Sequence, residues 1–353
     1  MVMPMHVEAI PLESAEALGD AWRALEASAR PCFFRSWSWV GCLFQERFDD
    51  PVVLRARHAG RVVGLAVFNR SRGRLVLGAS GDPRRDAPHV ERNGPLLAVD
   101  APAGTEAALL GAAWRQRGAG RLVLPGVPPA LVDAAGGAPL RLLVQPAPFV
   151  RLDAVREAGG DHLRILGANT RWQIRRALRR YAARGEVRLD CAATEQEALA
   201  WLDALVVLHQ HDWQRRGAPG AFADPFMLRF HRALIARAMP RGEVELLRLA
   251  VGGQALGYLY NFRLGNRVLA YQSGLDRDDG GPQDKPGLVC HHLAIQRAAA
   301  AGDAVYDFLA GAARYKSSLA TGEEGLAWAE MVPRASPLRL AAALLRGWRR
   351  LAR

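Results

Sequence analysis

EVELLRLAVGGQALGYLYNFRLGNRVLAYQSGL, residues 243–275, reads as three strands in succession. Apolar residues fill Glu243–Ala250, Ala255–Leu264 and Arg267–Leu275. Gly252-Gly253 and Gly265-Asn266 interrupt them at hairpin length, and these residue types accept the positive φ of tight β-turns. The run is therefore an antiparallel meander. Downstream, Pro286 marks the first turn of a helix to Ala301, because its missing N–H has no helical partner at that position anyway. A strand over Ala304–Leu309 completes a β-loop-helix-β crossover.

Upstream, Asp224-Pro225 starts a helix, and Thr194-Glu-Gln-Glu197 forms a capping box that opens a long helix to Arg216. Val187–Cys191 is a short strand, and Asn169 caps an arginine-rich helix that reaches Arg184. The first half has the same order of elements. A strand over His6–Leu12 precedes helices from Ser14 and Ser36, then the hairpin Pro51–Arg57/Arg61–Phe68 and the short strand Leu75–Leu77. Gly81–Pro95 is a polar loop, Thr105–Arg117 a helix and Arg121–Leu124 a strand; Pro125–Pro148 reads as loops with a strand inside. The fold class is α+β, two similar tandem domains, each a mixed, mainly antiparallel sheet flanked by helices. The domains are residues 1–150 and 151–335; residues 336–353 form a basic amphipathic helix that docks on the protein's own body or on a membrane surface.

At 353 residues, half of them hydrophobic, the chain can fill two cores. No apolar run is long enough to span a membrane, the N-terminus has no secretory signal pattern, and the four cysteines lack metal or disulfide spacing. A cytoplasmic protein, with membrane association through the C-terminal helix as an option, is expected. The net charge of +12 calls for anionic company. It is concentrated at Arg171, Arg175, Arg176, Arg179, Arg180 and Arg184, either a solvated helix face or a basic wall beside a phosphate.

Of the 47 basic residues only Lys285 and Lys316 are lysines. An ammonium is a compact charge whose pKa shifts readily, unlike a guanidinium, so both positions draw notice. Lys285 adjoins Pro286-Gly287-Leu288-Val289, whose backbone N–H groups and helix dipole form either an ordinary helix start or an anion site suited to a pyrophosphate. Walker, GxGxxG, GxSxG and HExxH patterns are missing. His209 and His211 lie two apart on a helix and His291 and His292 are adjacent, spacings that suit structural or wall residues rather than metal ligands.

The segment from about residue 160 to 320 resembles the GNAT superfamily of acyltransferases, in particular the CelD/BcsL-type branch, which is similar to the FemAB/FemX aminoacyltransferases. The resemblance is carried by Leu208-His209, Trp213–Gly217, Tyr271–Asp276, Pro286-Gly287-Leu288, Ala301-Gly302 and Tyr306-Asp307-Phe308, with Gly311 and Tyr315-Lys316 beyond. The first half resembles the degenerate N-terminal half of those proteins through Val62-Val63-Gly64. One departure is plain: Asp284–Val289 has a single glycine where GNAT enzymes carry a glycine-richer pyrophosphate loop.

What the resemblance implies is direct attack of an amine or hydroxyl on an acyl carbonyl, with acetyl-CoA or another acyl-CoA as co-substrate and no metal. The donor would be held by Lys285, Pro286, Gly287, Leu288, Val289, Ser273 and Gly274. Asp307 is the expected general base or amine anchor, Lys316 the oxyanion or phosphate contact, and Tyr271 and Tyr315 the hydrogen-bond donors. Trp213, Arg216, Gln272 and Arg175 are expected at the acceptor. The acceptor is a small molecule, saccharide, polysaccharide precursor or amino-acid-like amine. Two alternatives accompany this reading. One is a FemX-like enzyme drawing on aminoacyl-tRNA; the other is a non-catalytic assembly factor in polysaccharide export that uses its tail as anchor.

Overall fold

The computed structural model describes residues 5–12, 14–86, 90–277 and 283–338. The expected C-terminal helix falls almost wholly on residues 339–353, outside the described residues. The chain forms two compact units, one of residues up to Gln145 together with those from Gly325 onward, the other Pro146–Glu324.

The first unit starts with β1 (His6–Ile10), α1 (Ala15–Glu26) and α2 (Trp37–Glu46). Ser14 and Ser36 cap the two helices, each hydroxyl accepting a backbone N–H of the first turn (3.1 and 3.3 Å) and each worth about 1 kcal/mol. Next come β2 (Pro51–His58), β3 (Arg61–Ser71), β4 (Arg74–Leu77), the two-residue β5 (Leu96–Leu97), α3 (Thr105–Trp114) and β6 (Arg121–Val127). The Pro- and Gly-rich stretch, expected as loops with a strand inside, holds that strand as the 14-residue β7 (Ala138–Arg151) and, in place of a loop, a short helix, α4 (Pro129–Ala134). Pro129 sits at the start of that helix, where it costs no hydrogen bond. The sheet order is β1-β2-β3-β4-β6, closed by β13 (Gly322–Val332), a strand that the sequence reading does not foresee. β4 and β6 are parallel and the other pairs antiparallel.

The second unit continues from the end of β7 with α5 (Leu152–Glu157), α6 (Ala168–Ala182), β8 (Val187–Cys191), α7 (Glu195–Arg215) and α8 (Pro225–Ala238). Asn169 does not cap α6: the cap is Gly167, with no side-chain bond, and Asn169 lies in the first turn. The capping box at Thr194 is present. Its hydroxyl accepts the Glu197 N–H (3.2 Å), and the Glu197 carboxylate reaches back to the N–H of Ala193, one residue earlier than the usual box (2.8 Å). The meander follows as β9 (Val244–Val251), β10 (Gln254–Leu264) and β11 (Arg267–Leu275). After it come α9 (Pro286–Ala300), β12 (Val305–Asp307) and α10 (Arg314–Leu319), giving the sheet order β8-β9-β10-β11-β12-β7. Again one pair, β11 with β12, is parallel. Ile174, Leu249, Leu259, Ile295 and Tyr306 lie at the centre of this unit's core.

This is the mixed, mainly antiparallel architecture that the strand pattern requires. Among the described residues no helix is long and apolar enough to cross a membrane, and no group of three metal-ligating side chains occurs.

Candidate active site

The parallel strands β11 and β12 pair only from Arg267↔Val305 to Leu269↔Asp307. β11 then runs on to Leu275, while the other chain turns away. The turn rests on Leu309, whose φ of +59° is a left-handed conformation that disfavours a side chain bearing Cβ. Two of the residues expected at the chemistry hold that turn instead. Asp307 is fully buried; one oxygen accepts the Leu309 N–H (2.8 Å) and the other the Arg267 guanidinium (2.6 Å). The Lys316 ammonium donates to the carbonyls of Leu309 (3.3 Å) and Ala310 (2.6 Å). Neither lines the cavity that the parted strands leave.

That cavity, about 460 Å³, is bounded by the upper end of β11, the start of α9, the start of α6 and α10. From the expected donor set it brings together Lys285, Pro286, Gly287, Leu288 and Ser273, and from the expected catalytic set Tyr315. Arg277, Arg314 and Lys285 give its wall three cations, and among the described residues no carboxylate lines it. Lys285 caps α9 with φ +46°. The start of α9 offers fewer free donors than the sequence suggests. Pro286 has no N–H, and the N–H groups of Leu288 and Val289 both fold back onto the Lys285 carbonyl (3.0 and 3.2 Å), which leaves the Gly287 N–H. An anion here is therefore met chiefly by side-chain charge. A Cβ on Gly287 would lie 3.1 Å from Leu275 Cδ1, so larger residues at that position intrude on the cavity wall.

The remaining expected residues lie elsewhere. Val289 is fully buried in the core, and Gly274 lets the backbone of Leu205 on α7 pack directly against β11. Tyr271 is buried in an aromatic cluster, 3.4 Å from His231 Nε2 and 4.3 Å between ring centroids from Phe262. Gln272 pairs with Tyr260 in the β10–β11 ladder and does not line the cavity. Trp213 is partly exposed under the Arg216 guanidinium, which bonds Asp212 (2.6 Å). Arg175 is exposed on α6.

The sequence reading treats His291 as a structural or wall residue, and the structure gives that wall a polar chemistry. It lines the cavity from the second turn of α9. Its Nδ1 lies 3.0 Å from the Tyr306 hydroxyl, and its ring stacks on Tyr315 (centroids 5.4 Å apart, planes 16° apart). Burial, aided by the nearby Lys316 ammonium, pushes its pKa down to about 3, so it is neutral at pH 7. Burial raises Tyr306 well above the ordinary phenol range, so that hydroxyl keeps its proton. The signal available in sequence was the helix register: from Gly287, four residues on is His291, on the same face.

Residues 168–317, which include every lining residue of this cavity but Ser318, match the family model of an acetyltransferase (GNAT) domain. The second unit carries a GNAT domain. Solved structures share the fold over nearly the whole chain. FemX aligns at 10% identity and TM-score 0.63, covering 95% of this chain and 100% of its own. The C-terminal DUF2156 domain of a putative lysylphosphatidylglycerol synthetase from Agrobacterium fabrum aligns at 12% identity and TM-score 0.57, covering 94% and 95%. L-PGS from Bacillus licheniformis aligns at 12% and 0.56, covering 92% and 94%. No curated protein matches the chain in sequence. In the GNAT domain the parting of β11 and β12 is thus the feature that places a cationic cavity at a helix start.

Proposed function

We propose that this chain is an acyltransferase built from two tandem GNAT-like units, in which the cavity of the second unit receives the acyl donor, an acyl-CoA. The observation that carries the reading is the wedge between β11 and β12, opening onto three cations and a helix start. Lys285 and Arg314 stand ready for the donor's phosphates; Arg277 is shared with Asp212 (3.0 Å). The stretch of β11 beyond its pairing with β12 would hold the extended arm of the donor, beside a Ser273 carbonyl that His209 Nδ1 already approaches at 3.1 Å.

Acyl transfer then needs a polarised carbonyl and a deprotonated nucleophile. Burial keeps the Tyr306 hydroxyl protonated. The Tyr306 O–H is then available to His291 Nδ1, which leaves the N–H on Nε2. A neutral imidazole that keeps its N–H is a donor for the developing oxyanion, not a base. The acceptor is an amine or hydroxyl of a saccharide, polysaccharide precursor or amino-acid-like molecule.

A second reading, aminoacyl transfer from charged tRNA, is favoured by the whole-chain likeness to FemX together with the basic face of α6. Mass spectrometry of products after incubation with acetyl-CoA, or with aminoacyl-tRNA, and a panel of amine and hydroxyl acceptors tests both. An acetylated product supports the first reading and an aminoacylated one the second. No product from either donor overturns both and leaves a non-catalytic role.

A further inference from the structure

Many arginines in the second unit have a carboxylate partner: Arg180 bonds Asp284, Arg188 and Arg248 share Asp190, Arg263 bonds Asp303 and Arg267 bonds Asp307. α6 stands apart because only Arg180 of its arginines has such a partner. Among the described residues Arg171, Arg175, Arg176 and Arg179 have no carboxylate partner, and the helix itself contains no acidic residue. Residues 171, 175 and 179 follow at four-residue intervals and so stand in one row, about 6 Å apart along the helix. Like charges in that row repel one another, so the arrangement is costly unless an anion occupies it. Beside the row stands Trp172, 53% exposed, with the Arg176 guanidinium 5.2 Å from its ring. An exposed indole flanked by unpaired guanidiniums is a platform for a flat aromatic base that carries phosphate. Thr170 and Gln173, the immediate neighbours, line the cavity of the candidate active site, so the platform continues its rim.

We propose that α6 carries the adenine-nucleotide subsite of the donor: the adenine stacks on Trp172, and Arg175, Arg176 and Arg179 take the phosphate beside its ribose. The subsite rests on the reading of the cavity as a donor site and deepens it. Its ligand chemistry, a phosphorylated adenosine, is common to CoA and to the 3′ end of a charged tRNA.

The experiment is calorimetric titration of the full chain with adenosine 3′,5′-bisphosphate, CoA, pantetheine and a CCA trinucleotide. The variants are Trp172→Ala, Arg175→Glu with Arg179→Glu, and Gly287→Trp, each checked for an unchanged thermal melt. Loss of one stacked base predicts that Trp172→Ala weakens the bisphosphate about 10-fold, and that the double charge reversal weakens it further. Pantetheine binding stays unchanged in both. A parallel loss for CoA identifies the thioester donor as the source of the nucleotide; binding and loss for CCA alone identifies tRNA. The subsite is overturned if none of the three adenine ligands binds, or if they bind unchanged in Trp172→Ala. Loss of CoA binding in Gly287→Trp with none in Trp172→Ala would keep the cavity and discard the subsite. Weakened bisphosphate binding without any acyl transfer would do the reverse.

Discussion

The two units share one pairing scheme and differ at one place. In each, three antiparallel pairings lead to a parallel pair, β4 with β6 or β11 with β12, and the outer member of that pair meets a last antiparallel strand. The third-position strands β3 and β10 even have the same length, 11 residues, and the same burial pattern. In the second unit the parallel strands part and leave a cavity lined by cations. In the first, the corresponding gap is filled. The buried Asn93 amide donates to Leu77 O at the end of β4 (2.8 Å) and to Pro125 O on β6 (3.0 Å), and its backbone N–H reaches Gly126 O (3.0 Å). Gly126, at φ +63°, admits the backbone of Val90 so closely that a Cβ would collide with it. On the proposed reading, the same pairing scheme serves once as scaffold and once as site, according to whether a loop side chain or a donor fills the wedge.

Four changes would break or sharpen that contrast. Removing the imidazole by His291→Ala should slow acyl transfer about 100-fold or more, the scale of a lost oxyanion donor. His291→Gln, which keeps an N–H, should recover part of it, as read by release of free CoA thiol. Equal rates for the two variants would remove His291 from the chemistry. Asp307→Asn comes next: with Arg267 partly exposed, it should cost about 2–3 kcal/mol in urea unfolding, because the amide leaves one acceptor for two donors, the Leu309 N–H and the Arg267 guanidinium, and removes the ion pair. Lost activity at unchanged stability would instead restore Asp307 as a base.

Asn93→Ala, in the filled wedge, should cost about 2 kcal/mol for two buried donors, with donor affinity unaltered. The change smallest per group is acid sensitivity. His162, His292 and His291 are buried in the second unit, and burial pushes their pKa values to about 4, about 4 and about 3. Each folded pKa lies below the unfolded value near 6.5, so the unfolded chain gains protons first as the pH falls. The stability these groups provide is full above that value and is lost progressively toward the folded pKa. Between pH 7 and 5 the loss should be about 1–2 kcal/mol per histidine, followed by urea midpoints. A flat profile would mean that these rings take up protons in the fold as readily as in the unfolded chain.

Much of this was legible in the sequence because it is written in local grammar. The meander over residues 243–275 sits within a residue of its reading, since Gly252-Gly253 and Gly265-Asn266 define the turns. Asp224-Pro225 and Thr194 give helix starts for the same reason. β13 was not legible: its partner β6 lies about 200 residues away, and no turn signal links them. The site was half legible. Helix-start logic found Lys285, Pro286, Gly287 and Leu288. Asp307 and Lys316 stood out by residue type, but only coordinates reveal that their polar atoms hold a turn. His291 was visible as a histidine, while its polar partner Tyr306, on another element, was not.

The most direct test of the contrast between the wedges is the stoichiometry of donor binding. Calorimetric titration of the chain with acetyl-CoA, and with free CoA, should give one site per chain. That site should vanish in Gly287→Trp, where an indole takes the space beside Leu275, and persist in Asn93→Ala. Two sites per chain, binding that survives Gly287→Trp, or no binding to either ligand would contradict the account.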